Sequence, residues 1–355
     1  MAIKIGINGF GRIGRMVLRT VIENYGNAIQ VIGINDVLDP DYLVYLLKND
    51  TVRGPFNHDV KLDGGFLVVD GQKIKLFTEN DPLNIGWGPL GVDVVVEATG
   101  FFLTAELADA HLKAGAKKVI MTAPSKDATP QYVYGVNDST YNGQNIISVA
   151  SSTTNCIAPI AKVLNDNIGI VRGLVAVIDS STSSYKTEAN LMDRTGKKWR
   201  SHSIPENLVP SSTGAAKAVG KVVPELNGKI TGSAILVPVS SVSYASLTLE
   251  LRNPPAKDNT SAYQALVDFM KRASEGAFKG IIGYTEDHPI SSDYHNTPYS
   301  VVFSARDGIA LDTTFMKVAL WYDNESGFCR RICDMIQVMC RSKGIEAANT
   351  RTVVN

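Results

Sequence analysis

The N-terminal segment most tightly limits what this chain can fold into. Ile3–Asn8 is a short apolar strand, Ile13–Asn24 follows with helical periodicity, and Val31–Asn35 is the next strand. Together they make a βαβ unit of about 35 residues. At its first turn, Gly6-Ile7-Asn8-Gly9-Phe10-Gly11-Arg12-Ile13-Gly14 carries G-x-G-x-x-G at Gly9, Gly11 and Gly14. Glycines there permit a tight turn and close backbone approach to a pyrophosphate at the positive end of the following helix. Such turns also occur without ligands, so the context decides. Asp36 closes the second strand about 25 residues after Gly11, where an acidic group suits the ribose 2′-hydroxyl of NAD and repels the 2′-phosphate of NADP. The alternative is that Asp36 merely caps a loop.

The pattern continues beyond the first unit. Val92–Glu97 reads VDVVVE, a near-continuous β-branched run typical of a strand buried on both faces of a parallel sheet. Leu103–Ala114 reads as a helix and Lys118–Thr122 as a further strand. Alternating β and α to about residue 150 predicts an α/β fold with a Rossmann, doubly wound parallel sheet. After Ser151 the texture changes. Thr153–Leu164, Thr213–Val219 and Ser261–Ala273 look helical. Gly173–Ile178, Gly232–Leu236, Ser241–Leu251 and Tyr299–Phe303 look like strands of a second α/β domain with a mostly antiparallel sheet. Val318–Tyr322 is a strand and Gly327–Met339 a helix with apolar residues every three or four positions.

Bulk properties exclude several function classes. The 355 residues suffice for about two domains. Formal net charge is zero, so no broad attraction to nucleic acid or an anionic membrane is implied. No apolar run reaches the ~18 residues of a membrane-spanning helix. The opening MAIKIGINGF is already a strand and lacks the layout of a signal peptide. Cys156, Cys329, Cys333 and Cys340 have no metal-site spacing and read as reduced thiols, so a cytoplasmic location is expected.

Several ordered blocks are more specific. GINGFGRIGR, the Ile34–Asp36 IND, EATGFF at Glu97–Phe102, STGAAKAVGKVVPELNGK at Ser212–Lys229, YTED at Tyr284–Asp287 and WYDNE at Trp321–Glu325 resemble the phosphorylating glyceraldehyde-3-phosphate dehydrogenases. The resemblance implies an NAD-binding domain over 1–151, completed by a C-terminal segment over 318–341, around a catalytic domain over 152–317. The remainder, 342–355, is expected to fray. It also implies a homotetramer, NAD as cofactor and a small-molecule substrate, with no nucleic-acid or membrane partner. By the same resemblance, Asn8, Gly9, Phe10, Gly11, Arg12, Ile13, Asp36, Thr122 and Asn324 contact the dinucleotide. Asn324 would hold the nicotinamide carboxamide. One cofactor position departs: Asn80 stands where the family often has arginine.

The catalytic positions depart together. Ser148–Cys156 reads SVASSTTNC where the family has S-N-A-S-C-T-T-N-C, which places Ser152 at the thioester-forming cysteine and Val149 at an asparagine. A thiol ionises near pH ~8.5, whereas an alcohol needs a strong adjacent base to attack a carbonyl. The strand that supplies the family's histidine reads Val177-Ile178-Asp179-Ser180-Ser181-Thr182, placing Asp179 there. A carboxylate near pKa ~3.9 is a poor base for an alcohol. Leu236 sits where a guanidinium would grip the substrate phosphate, and Ser326 replaces a tryptophan. In the loop before Asn207, Arg200 fits one of two family arginines and Ser203 roughly the other. Ser151, Thr153, Thr213 and Gly214 match the family's inorganic-phosphate pocket and Thr182 a substrate-phosphate contact, although such hydroxyls also serve as plain helix caps. Cys156 lies one helical turn past Ser152 and reads as a buried, inert thiol. None of His58, His111, His202, His288 or His295 falls in a matching motif, and no metal site is indicated.

Three functions fit this pattern. The first is a repurposed NAD-dependent oxidoreductase without thioester chemistry, acting on an aldehyde or alcohol with less phosphate than glyceraldehyde 3-phosphate. The second is a non-catalytic NAD-binding regulatory or assembly protein. The third is a weak residual glyceraldehyde-3-phosphate dehydrogenase.

Overall fold

The computed structural model describes residues 2–181, 204–211 and 213–341. Thr182, Arg200, His202, Ser203, Ser212 and the segment 342–355 lie outside the described residues. The described chain forms two compact units: one runs to Ser151 and resumes at Cys329, and the other spans Ser152–Phe328.

The first unit is built on an eight-stranded sheet. Its strands are β1 (Ile3–Asn8), β2 (Ile29–Asn35), β3 (Val60–Asp63), β4 (Phe66–Val69), β5 (Gln72–Phe77), β6 (Val94–Glu97), β7 (Lys118–Met121) and β8 (Ile146–Ser148). Their order is β3-β4-β5-β2-β1-β6-β7-β8, and every pair from β5 to β8 is parallel. The chain winds outward in both directions from β1, leaving a crevice between the C-terminal ends of β1 and β6 where such folds place ligands. Val94, Val95 and Val96 are fully buried, as a strand covered on both faces requires. Helices α1 (Arg12–Thr20), α2 (Pro40–Lys48), α3 (Trp87–Leu90) and α4 (Ala105–Lys113) connect the strands.

Two features differ from the sequence reading. The helix predicted over Ile13–Asn24 is α-helical only to Thr20 and then widens into a π-helical stretch, Val21–Tyr25. The antiparallel β3–β4–β5 edge was not anticipated. Its strands are short, but its turns were legible: Gly64 and Gly65, then Asp70 and Gly71, all take positive φ, as two-residue hairpin turns require.

The second unit holds α5 (Ser152–Asn167), α6 (Ala215–Val222), α7 (Asn259–Glu275) and the first turn of α8 (Ser326–Cys340). Its strands are β9 (Ile170–Ser180), β10 (Val209–Ser211), β11 (Ile230–Val237), β12 (Ser243–Leu251), β13 (Ile282–Thr285), β14 (Val301–Ala310) and β15 (Phe315–Tyr322). They form one sheet in the order β10-β11-β9-β12-β15-β14-β13. Antiparallel pairs predominate, but β11–β9 and β14–β13 are parallel, so the sheet is mixed. β15 lies between β12 and β14 inside this sheet, not with the nucleotide unit to which the reading of 318–341 assigns it. Alternation along β12 buries Ser243, Ala245, Leu247, Leu249 and Leu251 on one face.

Candidate functional site

In the first unit the glycine-rich turn joins β1 to α1, and its three glycines answer to different demands. Gly9 takes φ +91°, and a Cβ there would lie 2.8 Å from the Thr99 backbone nitrogen. A Cβ on Gly14 would collide with the Gly9 carbonyl oxygen. Gly11 is different. Its φ is −68° and a Cβ would meet nothing within 4 Å, so neither backbone strain nor internal packing calls for glycine. No side chain caps α1, whose N-terminus opens at this same residue. An open approach to an uncapped helix start is what a pyrophosphate needs, and these residues fit a dinucleotide.

Asp36 ties this turn to β2. One carboxylate oxygen accepts from the Phe10 amide at 2.7 Å and the other from the Leu38 amide at 3.0 Å. Arg12 is held by Asp50, with Nη1 to Oδ2 at 3.0 Å and Nη2 to Oδ1 at 3.3 Å. Burial opposes ionisation of Asp50, but the Arg53 amide and the Arg12 guanidinium outweigh it and hold the carboxyl below its usual range. The Thr122 hydroxyl donates to the Glu97 carbonyl at 3.0 Å. Asn8 and Phe10 are buried, so they shape the turn from beneath, while Ile13 is partly exposed.

In the second unit, strand register assembles the other cluster. Leu236 of β11 pairs with Asp179 of β9, and Ser243 of β12 pairs with Tyr322 of β15. Ile178 pairs with Tyr244, which sets Asp179 beside Ser243 across the neighbouring rung. These side chains therefore form one row over four strands. The Ser243 hydroxyl donates to Asp179 Oδ1 at 2.7 Å and accepts from the Ser180 amide at 3.0 Å. The Tyr322 hydroxyl meets Thr153 Oγ1 at 2.9 Å, which brings in the first turn of α5, next to Ser152. Ser180 Oγ donates to Asn324 Oδ1 at 3.3 Å.

The electrostatics of this row follow from burial. Desolvation pushes the Asp179 carboxyl above its ordinary range, against the hydrogen bonds from Ser243 and Ser180. Desolvation, then the nearby Asp179 charge, pushes the Tyr322 phenol up. Cys156 is fully buried and its thiol is raised well above the ordinary value by desolvation, so it is an unreactive sulfur.

One expected site residue is corrected. Leu236 is 1 % exposed and packs with Ile204 and Val209, so it is a core residue. Thr213 accepts a hydrogen bond from the amide of Ala215, the first residue of α6, at 3.1 Å, and Gly214, the N-cap, is open beside it. Ser151 is the last residue of the first unit's N-terminal stretch. Before it, Ala150 holds φ +56° although fully buried, a strained turn directly ahead of α5. Sequence reasoning missed Ser243 and Tyr322, whose roles depend on register; Tyr322 lay inside the WYDNE block without a role of its own. Among the described residues, no group of three or more His, Cys, Asp or Glu side chains could hold a metal ion.

Residues 3–105 match the family model for the NAD binding domain of glyceraldehyde 3-phosphate dehydrogenase, and 151–324 match the model for its C-terminal domain. A glyceraldehyde-3-phosphate dehydrogenase of Bacteroides fragilis (strain YCH46) is 53 % identical over 339 residues, covering 95 % of this chain and 99 % of the relative. The chain belongs to the glyceraldehyde 3-phosphate dehydrogenase family. A Shimwellia blattae glyceraldehyde-3-phosphate dehydrogenase is 50 % identical, and glyceraldehyde-3-phosphate dehydrogenase A of Escherichia coli (strain K12) 48 %, each covering 95 % of this chain and 98 % of its own length. Membership makes NAD the cofactor, with residues 3–105 as an NAD binding domain, and places the protein among NAD-binding dehydrogenases. No helix among the described residues is long and apolar enough to cross a membrane.

Proposed function

We propose that this family member is an NAD-dependent oxidoreductase that works without a thioester intermediate. The observation that carries this reading is the Asp179 row. By motif, Ser152 and Asp179 fall where the family has its cysteine and histidine. Asp179 is a desolvated carboxyl held by Ser243, able to keep a proton to higher pH than an exposed carboxylate. NAD, when bound, supplies the hydride acceptor for a carbon held against it. Asp179 takes the hydroxyl proton of an alcohol in one direction and returns it to a carbonyl oxygen in the other. Ser152, at the N-terminus of α5, donates a hydrogen bond to that oxygen. With a core leucine at position 236, the chain has no guanidinium there to hold a phosphate, which favours a substrate with less phosphate charge than glyceraldehyde 3-phosphate. Thr153, Thr213 and Gly214 remain candidates for a residual anion contact.

The assembly reading is a homotetramer in the cytoplasm. Self-association is supported by the sheet face of the second unit opposite the buried one, where Leu174, Ile178 and Ile235 are exposed. Ile235, Ile178, Tyr244 and Trp321 are register neighbours there, forming an apolar row suited to a second copy of the chain.

Absorbance at the nicotinamide band tests the catalytic reading with glyceraldehyde 3-phosphate and a panel of less phosphorylated aldehydes and alcohols. Turnover of a panel member without an acyl-enzyme burst is expected. Rapid oxidation of glyceraldehyde 3-phosphate with such a burst would overturn the proposal. NAD binding with no turnover on any substrate would favour the non-catalytic reading instead.

A further inference from the structure

Beneath the glycine-rich turn lies a buried polar ladder that the reading of the catalytic residues does not use. Asn35 of β2, Asn8 of β1 and Glu97 of β6 are register neighbours across three adjacent strands. Glu97 and His111 are each 0 % exposed. Glu97 Oε2 accepts from Asn8 Nδ2 at 2.7 Å and lies 3.1 Å from His111 Nε2. Its Oε1 accepts from the Thr99 amide at 2.8 Å and from the Thr99 hydroxyl.

Donor-only groups set the directions in this network, except at the 3.4 Å approach of Asn8 Nδ2 to His111 Nε2, where both nitrogens direct hydrogens at Glu97. Trp87 Nε1 can only donate, and it reaches His111 Nδ1 at 3.1 Å. His111 therefore carries its proton on Nε2 and donates it to Glu97. From the other side, the Glu79 amide donates to Asn35 Oδ1 at 2.8 Å, and Asn35 Nδ2 donates to Asn8 Oδ1 at 2.8 Å. Asn8 in turn donates to Glu97. All donors converge on one carboxylate, the acceptor-only group that can satisfy them together.

We propose that Glu97 is a positioning residue for NAD: its buried carboxylate orients the strand ends and loops that form the dinucleotide cradle. Asn8 precedes Gly9, Asn35 precedes Asp36, and the Thr99 amide abuts Gly9. A neutral amide at position 97 would turn an N–H toward an N–H, either at the Thr99 backbone or at the Asn8 and His111 pair. Asn8 cannot relieve this by flipping, because its oxygen already accepts from Asn35. The mismatch must be relieved by movement of the turn or of the Thr99 loop. This inference rests on NAD binding by the first unit and is independent of the roles given to Ser152 and Asp179.

Calorimetric NAD titration and thermal unfolding of the NAD-free protein test it, on the full chain and on Glu97→Gln, His111→Leu and His111→Gln. Glu97→Gln should weaken NAD binding about tenfold or more. His111→Leu removes one donor at a site below the cradle and should weaken binding about threefold or more; His111→Gln, which can still donate to Glu97, should restore most of it. Equal affinity of all variants and parent would overturn the proposal, as would lowered unfolding temperatures with unchanged affinity. If Glu97→Gln fails to fold, the His111 pair decides. Failure of the parent to bind NAD would instead count against the cofactor assignment.

Discussion

At the residue scale, single groups act through their surroundings more than their intrinsic chemistry. Asp179 is buried enough that its proton is held above the ordinary carboxylate range. A carboxyl raised on folding binds more protons native than unfolded, so its contribution to stability falls as pH rises from the unfolded value of ~4 through the raised one. Asp179→Asn should therefore raise the melting temperature at neutral pH by about 2–4 °C. The gain should shrink as pH falls toward 4, as thermal scans across pH would show. The thiols are similarly governed. Cys156, Cys329 and Cys333 are fully buried, and desolvation pushes the partly exposed Cys340 up to about 11. A disulfide reagent at pH ~8 should label the native protein slowly and all four cysteines once it is unfolded.

At the element scale, the glycine-rich turn offers a paired test. Gly14→Ala meets the Gly9 carbonyl and should lower both stability and NAD affinity, whereas Gly11→Ala meets nothing inside the protein. The Gly11 variant should keep its unfolding temperature yet lose NAD affinity, because its methyl occupies the approach of the pyrophosphate. Calorimetry beside thermal unfolding distinguishes the two. Helix α8 is seated on the first unit by another buried pair. Arg331 Nη2 lies 2.7 Å from Asp334 Oδ2, and the Tyr25 hydroxyl donates to Asp334 Oδ1 at 2.8 Å. Asp334→Ala should cost about 3–5 kcal/mol in denaturant unfolding, since it leaves a buried guanidinium without its carboxylate.

At the scale of the whole molecule, the exposed row on the second sheet carries the prediction for assembly. Ile178→Asp places a charge at the centre of that row and should shift the protein to smaller species in sedimentation, with NAD affinity of the first unit retained. The alternating βα order, the dinucleotide turn and the family blocks were legible in the sequence, because each is written in local periodicity or contiguous motif. Leu236 shows the limit of that reading. Motif alignment put it at a substrate contact, yet a leucine follows apolar burial, and it joined the Ile204–Val209 cluster.

By itself, then, the sequence determined the two kinds of sheet and the NAD-type turn, since strand periodicity and glycine placement act within a few residues. Tertiary structure alone decided that Asp179 answers to Ser243 and stands in a row with Tyr322, and that Glu97 gathers donors from Asn8, Thr99 and His111. Those partners lie 64 residues apart along the chain in the case of Ser243 and Asp179, and 89 in the case of Asn8 and Glu97. Only the register of paired strands brings such groups into hydrogen-bonding range, and only burial turns that proximity into a shifted proton or a fixed orientation.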